Sequence, residues 1–130
     1  MKFLHTADWH VGKTLKGHSR LDEQRQVLAE MVGIAREHDV DAVLISGDLY
    51  DTSAPGSEAQ KLVNHTLLTL AKDGREVVVI AGNHDHANTF EAFRPLMKAA
   101  GIEFAGRVRA TAHGGVHTFT AKSTGEQVVV

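Results

Sequence analysis

Three short apolar runs, each ending directly in a polar cluster, divide the first 85 residues of the chain. The runs, each with the first ionisable or amide residue after it, are Phe3–Thr6 with Asp8, Ala42–Ile45 with Asp48, and Val77–Ile80 with Asn83. Continuous apolar runs of this length are typical of strands that are buried on both faces, as in parallel sheets. The chain is therefore predicted to form a mainly parallel sheet.

Segments with a helical spacing of apolar residues separate these runs. Helices are predicted over about 19–38, 57–72 and 89–100, with Ser19 as the N-cap of the first. Their inward residues should include Ile34 in the first helix and Phe93 and Leu96 in the third. With a fourth short strand at 102–104, the order is β-α-β-α-β-α-β, which predicts an α/β fold with right-handed crossovers.

The pattern changes after residue 106. Short strands are predicted at 108–111, 116–121 and 127–130, joined by Gly-rich turns as a meander that starts a second sheet. Residues 1–105 would thus form a βαβαβαβ segment, and 106–130 the start of the second sheet. Because the chain stops in an apolar, strand-forming stretch, we expect it to be the N-terminal part of a longer protein. The alternative is a natural short protein whose last strand is a sheet edge.

Composition excludes several classes of site. The chain has no cysteine, which excludes disulfides and thiolate metal sites. Its net charge of -2 argues against one broad basic face for DNA, so any nucleic-acid contact would be local or made through metal ions. The N-terminus enters a strand without a signal-peptide pattern, and no apolar run approaches the roughly 20 residues of a membrane span. We expect a cytoplasmic protein with no membrane contact.

The polar clusters should meet, because the carboxyl ends of parallel strands face one crevice. Asp8, His10, Asp48 and Asn83 form a mixed oxygen and nitrogen set that suits manganese, zinc or iron. Asp8 and His10 are two residues apart and would point the same way if strand geometry persisted. Asp48 follows a glycine and could bridge two ions, while Asn83 offers a neutral oxygen. The alternative is that these residues cap helices or satisfy turns.

The residues that follow Asn83 are candidates for acid chemistry. His84 lies beside the predicted metal site and could give a proton to a leaving oxygen, with Asp85 orienting its ring. His86 either touches substrate or is an exposed turn residue. Both Asp85 and His84 are therefore candidate catalytic residues.

A basic loop follows His10. Its Lys13, Lys16 and Arg20 could hold backbone phosphates near the metals, the alternative being a solvated surface. Trp9 could stack on a base, but a residue between two ligands more often packs as a wedge against the sheet. We therefore predict a local phosphate contact at this loop and a packing role for Trp9.

Three motifs carry a resemblance to a known family. Asp8-x-His10, Gly47-Asp48-x-x-Asp51 and Gly82-Asn83-His84-Asp85 resemble the first three signatures of the calcineurin-like metallophosphoesterases. The opening 3–13, with its Asp-Trp-His, is similar to that of the SbcD exonuclease branch. The resemblance covers nearly the whole chain and is clearest over residues 2–105. It implies that residues 1–130 are the N-terminal portion of a nuclease domain with an αββα sandwich fold.

The resemblance also implies a metal centre with two divalent ions, for which manganese is the favoured metal. Asp8 and His10 would bind the first ion, Asp48 would bridge, and Asn83 would bind the second. His84 would act as the general acid or stabilise the phosphate. Asp51 is the second acid of its motif, and no firm role is assigned to it.

The implied activity is that of one component of a DNA exonuclease or endonuclease, acting at double-stranded ends in break repair, recombination and replication. An SbcC-type ATPase would be its partner. One alternative is another phosphoesterase of the same fold that acts on nucleotides or phosphoproteins. A second is a metal-free scaffold, as in the retromer component that resembles these enzymes, and the intact metal-binding residues argue against it.

One departure from the family concerns the later histidines. The family completes its metal centre with residues that include a Gly-His-x-His motif, whereas His113 and His117 stand in His-Gly-Gly-Val-His. We therefore expect this chain alone to bind one ion or none tightly and to show little or no nuclease activity. An uncovered sheet would also favour a homodimer, formed through Gln127–Val130 or by exchange of the 107–130 strands.

Overall fold

The computed structural model describes all 130 residues and contains three helices and eight strands. The helices are α1 (Leu21–Glu37), α2 (Ser57–Lys72) and α3 (Ala87–Ala99). The strands are β1 (Phe3–Thr6), β2 (Thr14–Leu15), β3 (His18–Ser19), β4 (Ala42–Ser46), β5 (Glu76–Ile80), β6 (Ile102–Ala105), β7 (Thr118–Thr120) and β8 (Gln127–Val129). The predicted alternation of strands and helices is therefore confirmed.

A parallel four-stranded sheet forms the centre of the fold, in the order β1-β4-β5-β6. Each long strand adds beside the previous one, so the three right-handed crossovers place their helices on one face. Alternate strand residues such as Val43, Val77 and Phe104 share a single core with Leu67 of α2 and Phe90 of α3. Phe90 stacks on Phe104 with ring centroids 4.8 Å apart.

The opposite face of the sheet is only partly covered. Phe3 and Ile80 point to that side and are 56% and 46% exposed, while Leu44 and Val78 are half-buried. The prediction that these strands are buried on both faces is therefore wrong for this chain, because helices cover one face only. The apolar runs nevertheless predicted the strands and their parallel pairing correctly.

A small antiparallel hairpin of β7 and β8 lies against this sheet, as the predicted start of a second sheet required. Its attachment is polar: Ser123 donates two hydrogen bonds to the Asp41 carboxylate, and Lys122 donates to the Asp73 carbonyl. The strand predicted at 108–111 is wrong. Arg109 pairs with Glu91 of α3, which holds that segment away from the sheet, and a 3-10 turn follows.

The helix boundaries agree with the prediction for α2 and differ for the other two. Ser19 belongs to β3, so α1 begins one residue beyond the capping position that Arg20 occupies. α3 begins at Ala87, before Thr89, because the His86 side chain caps it by accepting a hydrogen bond from Thr89. These starts depend on contacts that the apolar spacing does not record.

Some residues predicted to point inward are exposed. Ile34, Phe93 and Leu96 are 42%, 44% and 64% exposed, because α1 and α3 lie at the margins of the helical layer and bury narrow stripes. In a separate respect the structure agrees with expectation: no helix combines the length and hydrophobicity needed to cross a bilayer.

Candidate metal centre

The loops after β1 and β4 run side by side beyond the end of the sheet. The Asp8 and His10 backbone N–H groups donate to the carbonyls of Gly47 and Asp48, at 3.1 and 2.9 Å. Val11 N–H continues the ladder to Leu49 at 2.9 Å. The backbones that carry two of the predicted ligand groups are therefore hydrogen-bonded directly to each other.

The loops after β4 and β5 approach each other through two glycines. A Cβ on Gly47 would lie 2.7 Å from Gly82 Cα, and one on Gly82 would overlap the Asp48 carboxylate and backbone nitrogen. Only a residue without a side chain fits such an approach. Across the same gap, His84 N–H donates to Asp48 Oδ1 at 2.9 Å. These contacts bring the second and third motifs together.

Asp85 ties these two loops to each other. Its buried carboxylate accepts hydrogen bonds from the N–H groups of Leu49, Tyr50 and Gly82, at 3.2, 3.1 and 2.9 Å. Burial, with a smaller contribution from the Asp85 charge, raises the pKa of Tyr50 to about 12. Asp85 thus holds backbone, and the predicted contact with the His84 ring is made by another group.

That group is Asp51. The His84 Nδ1 atom lies 2.8 Å from the Asp51 carbonyl oxygen. Because a carbonyl can only accept, Nδ1 carries a proton and donates it, which leaves Nε2 as the ring atom available for chemistry. The His84 ring also meets the His10 ring edge to face, with centroids 4.9 Å apart. His84 is therefore fixed in orientation and in tautomer.

His10 lies at the centre of the cluster. Its Nε2 is 3.8 Å from Asp8 Oδ1 and 3.8 Å from Asp48 Oδ2, too far for hydrogen bonds. Its Nδ1 is buried without a hydrogen-bond partner, the nearest carboxylate oxygen being that of Asp51 at 3.6 Å. Such unpaired polar groups are costly unless a further ligand satisfies them.

Ligand atoms of His10, Asp48 and His84 all lie within 4.8 Å of one another. Asp8 reaches this group from the exposed side, where its side chain is 72% accessible, and Asn83 is exposed on the loop that carries His84. Carboxylate, imidazole and amide donors without thiolates fit a divalent cation. The structure thus assembles Asp8, His10, Asp48 and His84, with Asn83 beside them.

Gln24 of α1 belongs to the site, although no motif contains it. Its Nε2 donates to the His10 carbonyl at 2.7 Å, and its Oε1 accepts from Gly12 N–H at 3.1 Å. The side chain therefore fixes the loop around His10 from the helix. A polar residue on an exposed helix gives no signal of such a contact in the sequence.

The predicted phosphate-binding residues are dispersed. Lys13 is the nearest, with Nζ 3.9 Å from Asp51 Oδ1. Arg20 pairs with Glu23 at 2.7 Å, and Lys16 lies exposed at the turn between β2 and β3. His86 accepts hydrogen bonds from Thr89 as the cap of α3, which is a structural role in the metal-free chain.

Comparison with known proteins agrees with this geometry. The sequence model of the calcineurin-like phosphoesterases matches residues 1–123. The chain is 46% identical to the SbcD component of nuclease SbcCD from Bacillus subtilis strain 168 over 107 residues, which are 82% of this chain and 27% of that protein. For the SbcD protein of Escherichia coli K12, identity is 39% over 97 residues, 75% of this chain and 24% of that protein.

A third relative, the SbcD protein of Rhodobacter capsulatus, is 40% identical over 108 residues, 82% of this chain and 27% of its own length. The chain thus spans about a quarter of the length of the curated relatives it matches. The family match extends over all three motifs and over the loops that bring them together. The chain belongs to the calcineurin-like phosphoesterase family.

Proposed function

We propose that this chain supplies metal-binding and proton-donating residues of a DNA nuclease that hydrolyses phosphodiester bonds at double-stranded ends. The observation that supports it most directly is the assembly of Asp8, His10, Asp48 and His84 in a chain 39–46% identical to SbcD proteins of the SbcCD nuclease. Break repair, recombination and replication are the processes in which such cleavage would serve.

The cofactors proposed are two divalent ions, with manganese favoured. Asp8 and His10 would hold the first, Asp48 would bridge, and Asn83 would hold the second. When bound, such ions neutralise the phosphate and promote attack by water. Asp48 is suited to its role because its backbone is hydrogen-bonded to His10 and its Oδ1 accepts from His84 N–H.

His84 is proposed as the proton donor to the leaving oxygen. Its Nδ1 is held by the Asp51 carbonyl, so a second proton would reside on Nε2, the ring atom left free for substrate. Asp85 is proposed to act indirectly, by holding the loops of Asp48 and Asn83 in place. This replaces the role in which Asp85 orients the His84 ring.

The substrate and partners follow from the same proposal. Lys13, Lys16 and Arg20 would contact the DNA backbone, Lys13 most directly because it lies beside Asp51. His86 would contact substrate only if it left its capping position. An SbcC-type ATPase would control access to DNA ends, a homodimer is proposed, and the protein would act in the cytoplasm.

The test uses a protein that carries this chain and has the length of its curated relatives. Hydrolysis of duplex DNA and of nitrophenyl phosphate esters is measured with manganese, for the parent and for His84→Ala. We expect duplex cleavage in the parent, and in the variant a loss of cleavage with manganese binding retained. Hydrolysis of the small esters without DNA cleavage would contradict the nuclease proposal and favour a nucleotide or phosphoprotein phosphatase.

A further inference from the structure

A cavity of about 490 Å³ opens beside the metal centre, on the side of α1. Asp8 and His10 form part of its wall, so a group placed in the cavity would lie next to anything bound at the cluster. Its volume falls within the roughly 300–1,000 Å³ range of small-molecule sites. The cavity is separate from the contacts that hold the metal-binding loops together.

The rest of the wall is largely apolar. It is formed by Trp9 from the loop after β1 and by Val27, Leu28 and Met31 from α1. The polar edge of Trp9 is satisfied internally, because Nε1 donates to Thr6 Oγ1 at 3.0 Å. Trp9 packs partly against the core, as the wedge interpretation predicts, and its remaining surface lines the cavity.

Val27 makes the apolar wall unusual. It is 62% exposed on a helix whose other aliphatic residues near the cavity, Leu28 and Met31, are buried or half-buried. Lys13 and Arg20 complete the lining and place positive charge beside the apolar surface. A ligand that fits this combination has a flat apolar part joined to an anionic group.

We propose that this cavity receives the base of the nucleotide whose phosphate lies at the metal centre. The inference rests on the proposed function and specifies the substrate as a nucleoside phosphate, bound through its base as well as through its phosphate. Stacking and apolar contact tolerate any base, since every base has a π-face. Binding should therefore depend on the presence of a base and only weakly on its identity.

The chain contains a single tryptophan, so its fluorescence reports on this cavity alone. The 130-residue chain is titrated with deoxyadenosine 5′-monophosphate, deoxyribose 5-phosphate and inorganic phosphate, with and without manganese. Affinities are measured by calorimetry and quenching by Trp9 emission. We expect the nucleotide to quench Trp9 and to bind roughly tenfold more tightly than the sugar phosphate.

Val27→Asn removes apolar wall without touching a metal-binding residue. Its matched control is Ile34→Asn, seven residues further along the same exposed stripe of α1 and outside the cavity. The first variant should weaken nucleotide binding about fivefold and leave sugar phosphate binding unchanged. The control should change neither affinity.

Equal affinity for nucleotide and sugar phosphate in both conditions, without quenching of Trp9, would overturn the cavity proposal. Manganese binding is measured separately by calorimetry on the same chain. Its absence would count against the proposed metal centre, whereas base-selective binding in the metal-free chain would still support the cavity. The two proposals can therefore fail independently.

Discussion

Asp8, His10 and Asp48 have backbone φ angles of 56°, 44° and 51°, in the left-handed region that side-chain-bearing residues rarely adopt. Such conformations cost about 1 kcal/mol or more each and persist only where the surroundings hold them. Here the interloop backbone hydrogen bonds and the Gln24 side chain do so. Three of the five non-glycine residues with positive φ are therefore proposed metal ligands, which places the backbone strain at the site.

Asp8→Gly and Asp8→Ala separate the backbone from the carboxylate. Both remove a proposed ligand, so manganese affinity measured by calorimetry should fall in both. Only glycine relieves the left-handed conformation, so its free energy of unfolding in urea should exceed that of the alanine variant by about 1 kcal/mol. Equal stability of the two variants would show that residue 8 is not strained, and unchanged metal affinity would remove Asp8 from the ligand set.

Residues at strand ends could be predicted from the sequence, whereas the residues that hold them could not. Asp8, His10, Asp48 and His84 come together because their position after parallel strands dictates it. Gln24 acts from a helix 14 residues away, and Asp85 contacts backbone 35 and 36 residues earlier in the chain. Neither contact leaves a periodic or motif-like trace.

At the scale of elements, strong periodicity predicted what is regular and missed what depends on capping and docking. α2 begins and ends as predicted, because polar residues and Gly74 bound a clear apolar stripe. The start of α3 depends on a histidine cap, and the segment 107–110 is held by ion pairs with α3 instead of strand pairing. The docking of the β7–β8 hairpin rests on Asp41, a single buried carboxylate.

Two glycines in open space test the backbone of these elements. Gly33 lies in the middle of α1 and Gly101 follows α3 with a φ of 78°, and a Cβ would meet nothing within 4 Å at either position. Gly33→Ala should raise the free energy of unfolding by about 0.5–1 kcal/mol, because glycine is a poor helix residue. Gly101→Ala should lower it by about 1 kcal/mol, since alanine disfavours positive φ. Urea denaturation measures both, and a gain at Gly101 would contradict the assigned geometry.

The hairpin contact should make stability depend on acid pH. Hydrogen bonds from Lys2 N–H and from Ser123 lower the pKa of Asp41 from 3.8 to about 2, and Arg36 and Arg75 lower that of Asp73 to about 2. Because the unfolded chain binds these protons at higher pH, the stabilisation is present above about pH 4 and is lost as pH falls toward 2.

Asp41→Asn should therefore flatten the dependence of unfolding free energy on pH between 4 and 2, as followed by urea denaturation at each pH. Asp73→Asn, which leaves the hairpin contact intact, should flatten it separately. An unchanged slope in the Asp41 variant would mean that its carboxylate titrates normally in the folded chain.

At the scale of the whole molecule, helices cover one face of the sheet and a short hairpin partly covers the other. Phe3 and Ile80 remain exposed on the open face, and Val129 is 67% exposed on an edge strand. The α/β class, the parallel pairing and the start of a second sheet were predictable from alternation. The degree to which the second face stays open was not, because apolar runs do not specify their partner.

The ligand set of this chain predicts its metal stoichiometry. His10, Asp48 and His84 form one compact group, and Asp8 and Asn83 reach toward solvent from its margin. Calorimetric titration of the 130-residue chain with manganese should give at most one tight site per chain. Two tight sites would contradict the expectation that further histidines are needed to complete the centre.

The exposed edge of β8 predicts self-association. Sedimentation velocity at high concentration should show a dimer, and Val129→Lys should shift it toward monomer because charge on an edge strand opposes pairing. Leu68→Lys, an equally drastic change at a 46% exposed position on α2, should leave the dimer unchanged. A monomer for the parent chain at every concentration would refute this interface.

The order of the long strands also determines when the site can form during synthesis. Each strand pairs with the one made just before it, and every proposed ligand lies before residue 86. At about 5–20 residues per second, the 45 residues after Asp85 take roughly 2–9 seconds to translate. Once the first three long strands have left the ribosome, their ligands can meet before the hairpin exists. A nascent chain could thus acquire its first ion while translation continues.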